Sequence, residues 1–154
     1  MSLVIREMRA SEAVKVVEMV QGLAHHVGTD IVPKLTAQSL NTNRDLIDIV
    51  VAEEEGDLIG VCLSLMTFST WRGTKGLYIV DLFVKPAARG RNTGLQILKY
   101  AATRGQARGA CFIKLEVDHL NQGAARFYER LGFKCKDEDR LFILEHEILV
   151  SLLE

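Results

Sequence analysis

Features that would place this chain of 154 residues in a specialised class are largely missing. No apolar run approaches the roughly 20 residues that a membrane-spanning helix needs, so we expect no membrane partner. Neither sign of charge dominates: 19 basic and 20 acidic side chains give a net charge of −1, and we expect no nucleic acid partner. The sequence also has no internal repeats and no low-complexity segments. Any strongly basic site must therefore be local.

Cysteine is scarce as well. The three cysteines, Cys62, Cys111 and Cys135, are odd in number, lack C-x-x-C spacing and lie in apolar segments. We interpret them as reduced structural thiols rather than disulfides or metal ligands. His25 and His26 are adjacent, and their side chains would diverge by roughly 100° on a helix, which argues against joint metal ligation. We therefore predict no metal site.

The length fits a single domain over residues 1–154. A chain of this size buries roughly 68–70% of its unfolded surface, which is enough for one core. The first residues, MSLVIREM, carry charged side chains too early for a signal peptide. We expect a cytoplasmic protein.

Hydrophobic periodicity predicts an α/β fold with one mixed sheet covered by helices. Strands are predicted at Leu3–Met8, Ile47–Glu53, Leu58–Phe68, Leu77–Val84, Cys111–Val117, Phe133–Lys136 and Leu141–Val150. Helices are predicted from a Ser11 cap to Gly28, from about Thr36, over Thr93–Arg108, and over Gln122–Leu131 after an Asn121 cap. The first and last strands should be antiparallel. A right-handed crossover should make the strands at Leu77–Val84 and Cys111–Val117 a parallel pair.

The segment between the fourth predicted strand and the helix predicted over Thr93–Arg108 has the features of an anion site. Gly90 and Gly94 permit close backbone approach, and Asn92 tolerates a left-handed φ nearly as well as glycine. Arg89 and Arg91 supply charge-assisted donors, and the first N–H groups of the helix have no intrahelical partners. The segment is neither a Walker A loop nor a G-x-G-x-x-G loop. A solvated turn with surface arginines is the alternative interpretation.

This loop resembles the R/Q-x-x-G-x-G/A acetyl-CoA loop of the GCN5-related N-acetyltransferase (GNAT) family. It matches at Arg89 and Gly94 and carries Asn92 where glycine is usual. A second motif of that family, N-x-x-A-x-x-x-Y-x-x-x-G-F, is matched at every position, by Asn121, Ala124, Tyr128, Gly132 and Phe133. The order of elements fits the family over nearly the whole chain. The resemblance implies a GNAT-like domain that uses acetyl-CoA.

The resemblance also implies where acetyl-CoA binds. The backbone of Phe83 and Val84 would pair with the pantetheine arm like an added strand, and N–H groups from Arg91 to Leu95 would take the pyrophosphate. An N–H near Leu82 or Phe83 would stabilise the oxyanion. The expected cofactor-binding residues are Leu82, Phe83, Val84, Arg89, Gly90, Arg91, Asn92, Thr93, Gly94, Leu95, Asn121, Ala124 and Tyr128.

The expected catalytic residues are Tyr128, Asp81 and Glu116. Tyr128 matches the family's general acid, which protonates the leaving thiolate, although a tyrosine beside Phe127 in an amphipathic helix is otherwise a core residue. The base is Asp81 or Glu116, acting through water. Both lie with His119 at the C-terminal side of the parallel pair, where ligands of such sheets bind. The alternative interpretation of each carboxylate is a solvated residue at a strand end, without a catalytic function.

Two stretches, FSTWRGTKGLYIVDLFV and LFILEHEILVSLL, look most like the diamine (spermidine/spermine) and thialysine acetyltransferase branch of the family. Members of that branch commonly pair, so we expect a homodimer. The branch typically has a glutamate before the strand aspartate, and here that residue is Val80. Trp71 lies in the first of these stretches and would line the substrate cleft or a dimer contact.

The expected function is transfer of an acetyl group from acetyl-CoA to a primary amine of a small molecule. The resemblance implies direct attack in a ternary complex. One alternative is acetylation of a protein or peptide amine. The other is a CoA-binding module with little catalysis, which the departures at Val80 and Asn92 would favour.

Overall fold

The computed structural model describes residues 2–26 and 31–154, with the side chain of His26 outside the description. The predicted end of the first helix, at Val27 and Gly28, lies outside the described residues. The chain forms two compact units, Met1–Leu120 and Asn121–Glu154.

The first unit is built on a five-stranded sheet whose strands follow one another in sequence order. The strands are β1 (Leu3–Glu7), β2 (Asp48–Glu54), β3 (Asp57–Ser69), β4 (Thr74–Val84) and β5 (Ala110–Leu115). Neighbouring strands from β1 to β4 are antiparallel, whereas β4 and β5 are parallel. The predicted mixed sheet with its parallel pair is confirmed.

Three helices accompany this sheet: α1 (Ala13–His26), α2 (Ala37–Thr42) and α3 (Thr93–Ala107). The predicted short helix from about Thr36 is α2, and Thr36 caps it, because its hydroxyl accepts a hydrogen bond of 3.0 Å from the N–H of Ser39. The predicted Ser11 cap of α1 is wrong. A short 3₁₀ turn precedes that helix, and the Glu12 carboxylate accepts from the N–H of Arg9 at 2.8 Å.

The helices cover opposite faces of the sheet. Side chains of α1 and α2 form a buried cluster with inward residues of β2, β3 and β4, among them Val16, Leu40 and Leu63. Helix α3 packs on the other face and is tied to β2, since the Arg104 guanidinium binds both carboxylate oxygens of the buried Asp48 at 2.7 Å. The two layers fix β4 between them, and β4 carries most of the candidate site.

The second unit contains α4 (Gln122–Arg130) and α5 (His146–Leu152). The predicted strands Phe133–Lys136 and Leu141–Val150 are wrong, because no strand follows β5 in the part of the chain that the structure describes. The run from Leu141 to Val150 has enough apolar residues for either structure. A strand would need a partner to pair with, whereas the helix supplies its own hydrogen bonds, beginning with that from the Leu149 N–H to the Glu145 carbonyl at 2.9 Å.

An apolar sequence neighbourhood did not predict which cysteines are buried. Cys62 is buried, which raises the pKa of its thiol to about 12, but Cys111 and Cys135 are exposed. Among the described helices, none has the length and apolar character needed to cross a membrane.

Candidate active site

The parallel strands β4 and β5 part before β4 ends. Their pairing runs from Lys75 opposite Ala110 to Ile79 opposite Leu115. Beyond it, residues 80–84 of β4 have no strand partner on that side among the described residues. This free edge has the unpaired backbone groups that an extended ligand can bind as an added strand. It contains Leu82, Phe83 and Val84, the three strand residues predicted to bind the cofactor.

A β-bulge lies at the start of this edge. Leu63 of β3 pairs with Asp81, but the next residue, Ser64, pairs with Ile79, so Val80 is one extra residue in β4. A bulge reverses the alternation of side chains along the strand that carries it. Val80 is 43% exposed, at the position where the resembled branch has a glutamate.

The bulge brings two polar side chains to one face of β4. Leu77 lies against Gly105 of α3, so its neighbour Tyr78 points to the opposite face. Beyond the bulge, Phe83 packs into the cluster below α1, and Asp81, two residues earlier, shares that face. Tyr78 and Asp81 therefore lie on the same side of the sheet.

Asp81 is a half-buried carboxylate whose surroundings favour the neutral form. Burial raises the pKa of this carboxyl from 3.8 to about 6. None of the described residues forms an ion pair or a hydrogen bond with its side chain. A carboxyl group in this state can take up a proton near neutral pH.

Glu116 lies one residue beyond the end of β5 and binds Tyr78. The Tyr78 hydroxyl donates to Glu116 Oε1 at 2.5 Å, and this hydrogen bond, with burial, raises the pKa of the phenol to about 12. The negative charge of Asp81 acts in the same direction. Of the two predicted carboxylates, Glu116 contacts Tyr78 and Asp81 lies on the same face of the sheet as Tyr78. His119 is exposed in the following loop. Sequence reasoning missed Tyr78, because only the β4–β5 register places it beside Glu116.

The loop before α3 contains two residues in the left-handed region, Gly90 with φ 81° and Asn92 with φ 61°. Asn92 is the residue that replaces the usual glycine of the resembled motif, and it immediately precedes the helix. Asparagine accepts this conformation more readily than other residues with a Cβ. The departure from the motif therefore keeps the backbone shape that a glycine would give.

Asn92 should be replaceable by glycine more easily than by alanine. We expect Asn92→Ala to unfold about 1 kcal/mol more readily than Asn92→Gly, because alanine is strained at a positive φ. Urea denaturation of the two variants measures the difference. Lys99, an exposed residue within α3, provides the control, since there alanine should be more stable than glycine. Equal stability of the two Asn92 variants would contradict the strain argument.

Both arginines of the loop have protein partners. Arg89 Nε donates to the Val84 carbonyl at 2.9 Å, and its guanidinium carbon lies 5.5 Å from the centre of the Phe83 ring. Arg91 Nη1 lies 3.1 and 3.2 Å from the two carboxylate oxygens of Glu54. Arg89 thus fixes the strand end on which the loop is built. The backbone N–H groups at the start of α3 are the loop's main donors for an anion.

The second predicted motif lies in the other unit, where it builds one helix. Asn121 Oδ1 accepts from the Ala124 N–H at 3.2 Å and caps α4, and Gly132 ends the helix with a φ of 100°. The half-buried Tyr128 ring has edge contacts with Phe127 and Phe133, at centroid distances of 5.1 and 5.2 Å. Four motif residues therefore have local structural functions that fix the tyrosine.

No group of three or more His, Cys, Asp or Glu side chains placed to hold a metal ion occurs among the described residues.

Trp71, in the turn between β3 and β4, is 98% exposed.

Comparison with known families now bears on these two motifs. A model described as the Acetyltransferase (GNAT) family matches residues 22–133, which include the free edge of β4, the loop and the Asn121–Phe133 motif. The chain belongs to this family. It is therefore an acyltransferase, and the family resemblance predicted from the sequence is confirmed.

Two relatives with known sequences are similar to this GNAT protein. It is 36% identical over 96 residues to the uncharacterized N-acetyltransferase YhfO of Bacillus subtilis, a match that covers 62% of each chain. It therefore spans less than two thirds of that relative. It is 26% identical over 143 residues to the thialysine N-epsilon-acetyltransferase of Sus scrofa, covering 85% of this chain and 84% of the relative.

A solved structure has the same fold. An integron cassette protein from the mobile metagenome of V. cholerae aligns with a TM-score of 0.80 at 22% identity, over 100% of this chain and 99% of that one. At this identity the likeness concerns the fold alone.

Proposed function

We propose that this GNAT protein transfers the acetyl group of acetyl-CoA to a primary amine of a small molecule, by direct attack in a ternary complex. The observation that carries the proposal is the environment of the Asp81 carboxylate. A desolvated carboxylate without a cationic partner among the described residues lies beside the free edge of β4. Such a group suits an ammonium that must give up a proton.

The cosubstrate would bind along β4 and at the start of α3. The backbone of Leu82–Val84 would pair with the pantetheine arm, and the N–H groups of Arg91–Leu95 would take the pyrophosphate. The two left-handed residues of the loop support this assignment, because they direct successive N–H groups towards one side. Asn121 and Ala124 are expected to contribute mainly by holding α4.

The chemical step needs one base and one acid. Asp81, through a water molecule, would accept the proton of the ammonium, and the amine nitrogen would then attack the thioester carbonyl carbon. A backbone N–H near Leu82 or Phe83 would stabilise the oxyanion. When the C–S bond breaks, the Tyr128 hydroxyl would protonate the leaving thiolate. Glu116, held by Tyr78, would attract the cationic acceptor or serve as the base in place of Asp81.

The choice of a small acceptor is supported by the pig relative, whose name specifies the ε-amine of thialysine. The remaining parts of the proposal are a single domain over residues 1–154, a homodimer and a cytoplasmic location. They come from the sequence and from the family branch it resembles. Acetylation of a protein or peptide amine is the rival activity.

Release of CoA thiol from acetyl-CoA tests the proposal. We expect release above the buffer rate with at least one member of a panel of diamines, amino acids and aminoglycosides, and little with peptides. Faster release with peptides would favour the rival activity. If acetyl-CoA binds but no amine accelerates release, the chain is a CoA-binding module. Calorimetric titration with CoA supplies the binding measurement.

A further inference from the structure

The turn between β2 and β3 is joined by ion pairs to the segment of residues 85–91, which leads from β4 into α3 and ends at the proposed pyrophosphate site. Glu54, the last residue of β2, is paired with Asp57, the first residue of β3. The two residues between them, Glu55 and Gly56, have φ angles of 53° and 82°. Two positive φ angles are typical of a tight type I′ hairpin turn. Both carboxylates are therefore held on a short, rigid element.

Each of these carboxylates binds one end of the segment that leads from β4 into α3. Glu54 binds Arg91 near the end of the segment, with both carboxylate oxygens within 3.2 Å of Nη1. Asp57 Oδ1 lies 3.6 Å from Lys85 Nζ at its beginning. The last residue pair of the hairpin thus holds residues 85–91 at both ends.

The Glu54 pair is the better shielded of the two. The Glu54 side chain is 17% exposed, compared with 66% for Asp57, so solvent screens the first pair less. Glu54 accepts from only one terminal nitrogen of Arg91, and no other hydrogen bond from this guanidinium to a described residue is present. The remaining N–H groups can donate to an anion while the pair stays intact.

We propose that Glu54 is a positioning residue for the pyrophosphate site, with Asp57 as a weaker second support. The inference rests on the proposed binding of acetyl-CoA at this loop. Glu54 orients Arg91 and holds the left-handed backbone at Gly90 and Asn92, so that the N–H groups of the loop already face the phosphates. Its function is to reduce the ordering that binding would otherwise require.

Electrostatic repulsion and positioning predict opposite effects of removing the Glu54 carboxylate on CoA affinity. A carboxylate near a phosphate site repels the ligand and neutralises Arg91, so its removal should tighten binding. Positioning predicts that removal loosens binding. The sign of the change therefore separates the two explanations.

Calorimetric titration of the whole protein with CoA is the experiment. We expect Glu54→Gln to raise the Kd for CoA about two- to fivefold, the range for one partly exposed ion pair. The KM for acetyl-CoA should rise in parallel while kcat at saturation stays the same. Pantetheine and S-acetylpantetheine lack the pyrophosphate, so their Kd and KM should not change. Asp57→Asn should show a smaller effect of the same kind.

Glu55→Gln is the matched control. It removes the same charge from the same turn, but Glu55 is exposed and forms no ion pair with a described residue. Its CoA affinity should equal that of the wild type. In an Arg91→Gln background, Glu54→Gln should have no further effect, because the contact is already lost.

The outcomes are distinguishable. If the wild type does not bind CoA, the proposed function fails and this inference fails with it. If the wild type binds CoA but Glu54→Gln binds equally or more tightly, only the positioning inference is overturned. An equal loss with pantetheine, or additive losses with Arg91→Gln, would also overturn it, because Glu54 would then act through general stability.

Discussion

Replacing Tyr128 with phenylalanine is expected to lower kcat by roughly 10²–10⁴ while leaving CoA affinity nearly unchanged. The substitution removes one hydroxyl and keeps the ring, which has edge contacts with Phe127 and Phe133. The helix caps at Asn121 and Gly132 do not involve that hydroxyl. The loss should therefore appear in the chemical step. Steady-state kinetics with the best amine of the panel, together with CoA titration, measures both quantities.

Tyr100→Phe provides the matched control, because it removes the same hydroxyl from a half-buried tyrosine on α3. Its kcat should stay close to that of the wild type. An undiminished rate for Tyr128→Phe would remove this residue from acid catalysis. Equal losses in the two variants would mean that the effect is not specific to α4.

Replacing Asp81 with asparagine is expected to lower kcat at pH 7 by a similar factor, roughly 10²–10⁴, because the amide cannot accept a proton. The wild type should also lose activity as the pH falls through about 6, where the Asp81 carboxyl becomes protonated. Asp81→Asn should lack this pH dependence. A profile of kcat between pH 5 and 8 tests both expectations. Glu116→Gln distinguishes the two carboxylates, since it should retain the pH dependence if Asp81 is the base.

The Asp81→Asn variant should also be more stable than the wild type at neutral pH. Burial raises the pKa of Asp81 in the folded protein to about 6, above its ordinary value of 3.8. The stability that this group contributes is therefore fully present below about pH 4 and is lost as the pH rises through about 6. We expect Asp81→Asn to raise the unfolding free energy by about 1 kcal/mol at pH 7, less than the full shift implies because the group is partly exposed. Equal stability at pH 7 would show that Asp81 is not desolvated.

Local sequence signals predicted the elements that depend on a few neighbouring residues. The helix start near Thr36, the Asn121 cap and the helix end at Gly132 are confirmed, because each depends on a hydrogen bond or backbone conformation within one turn. The prediction of a Ser11 cap is wrong because a 3₁₀ turn precedes α1, and the Glu12 carboxylate accepts from the Arg9 N–H at the start of that turn. The C-terminal strand failed because whether an apolar run becomes strand or helix depends on a pairing partner distant in sequence.

The candidate site was predicted in part. The two motifs indicated the family, and the predicted parallel pair, which the structure contains, placed both carboxylates towards the C-terminal side of its strands. The sequence could not reveal that Tyr78 binds Glu116 or that Glu54 binds Arg91, since these pairs are separated by 38 and 37 residues. Nor could it reveal that both loop arginines have protein partners.

The sequence by itself determined the family, the order of elements through β5 and α4, and the residues that suit an anion loop, because these follow from spacing and local conformation. Only the tertiary structure decided how those residues are presented. The extra residue in β4 turns Asp81 to the same face as Tyr78, and burial raises the pKa of its carboxyl. Strand register and desolvation depend on what packs against a residue, and that is not written in its neighbours along the chain.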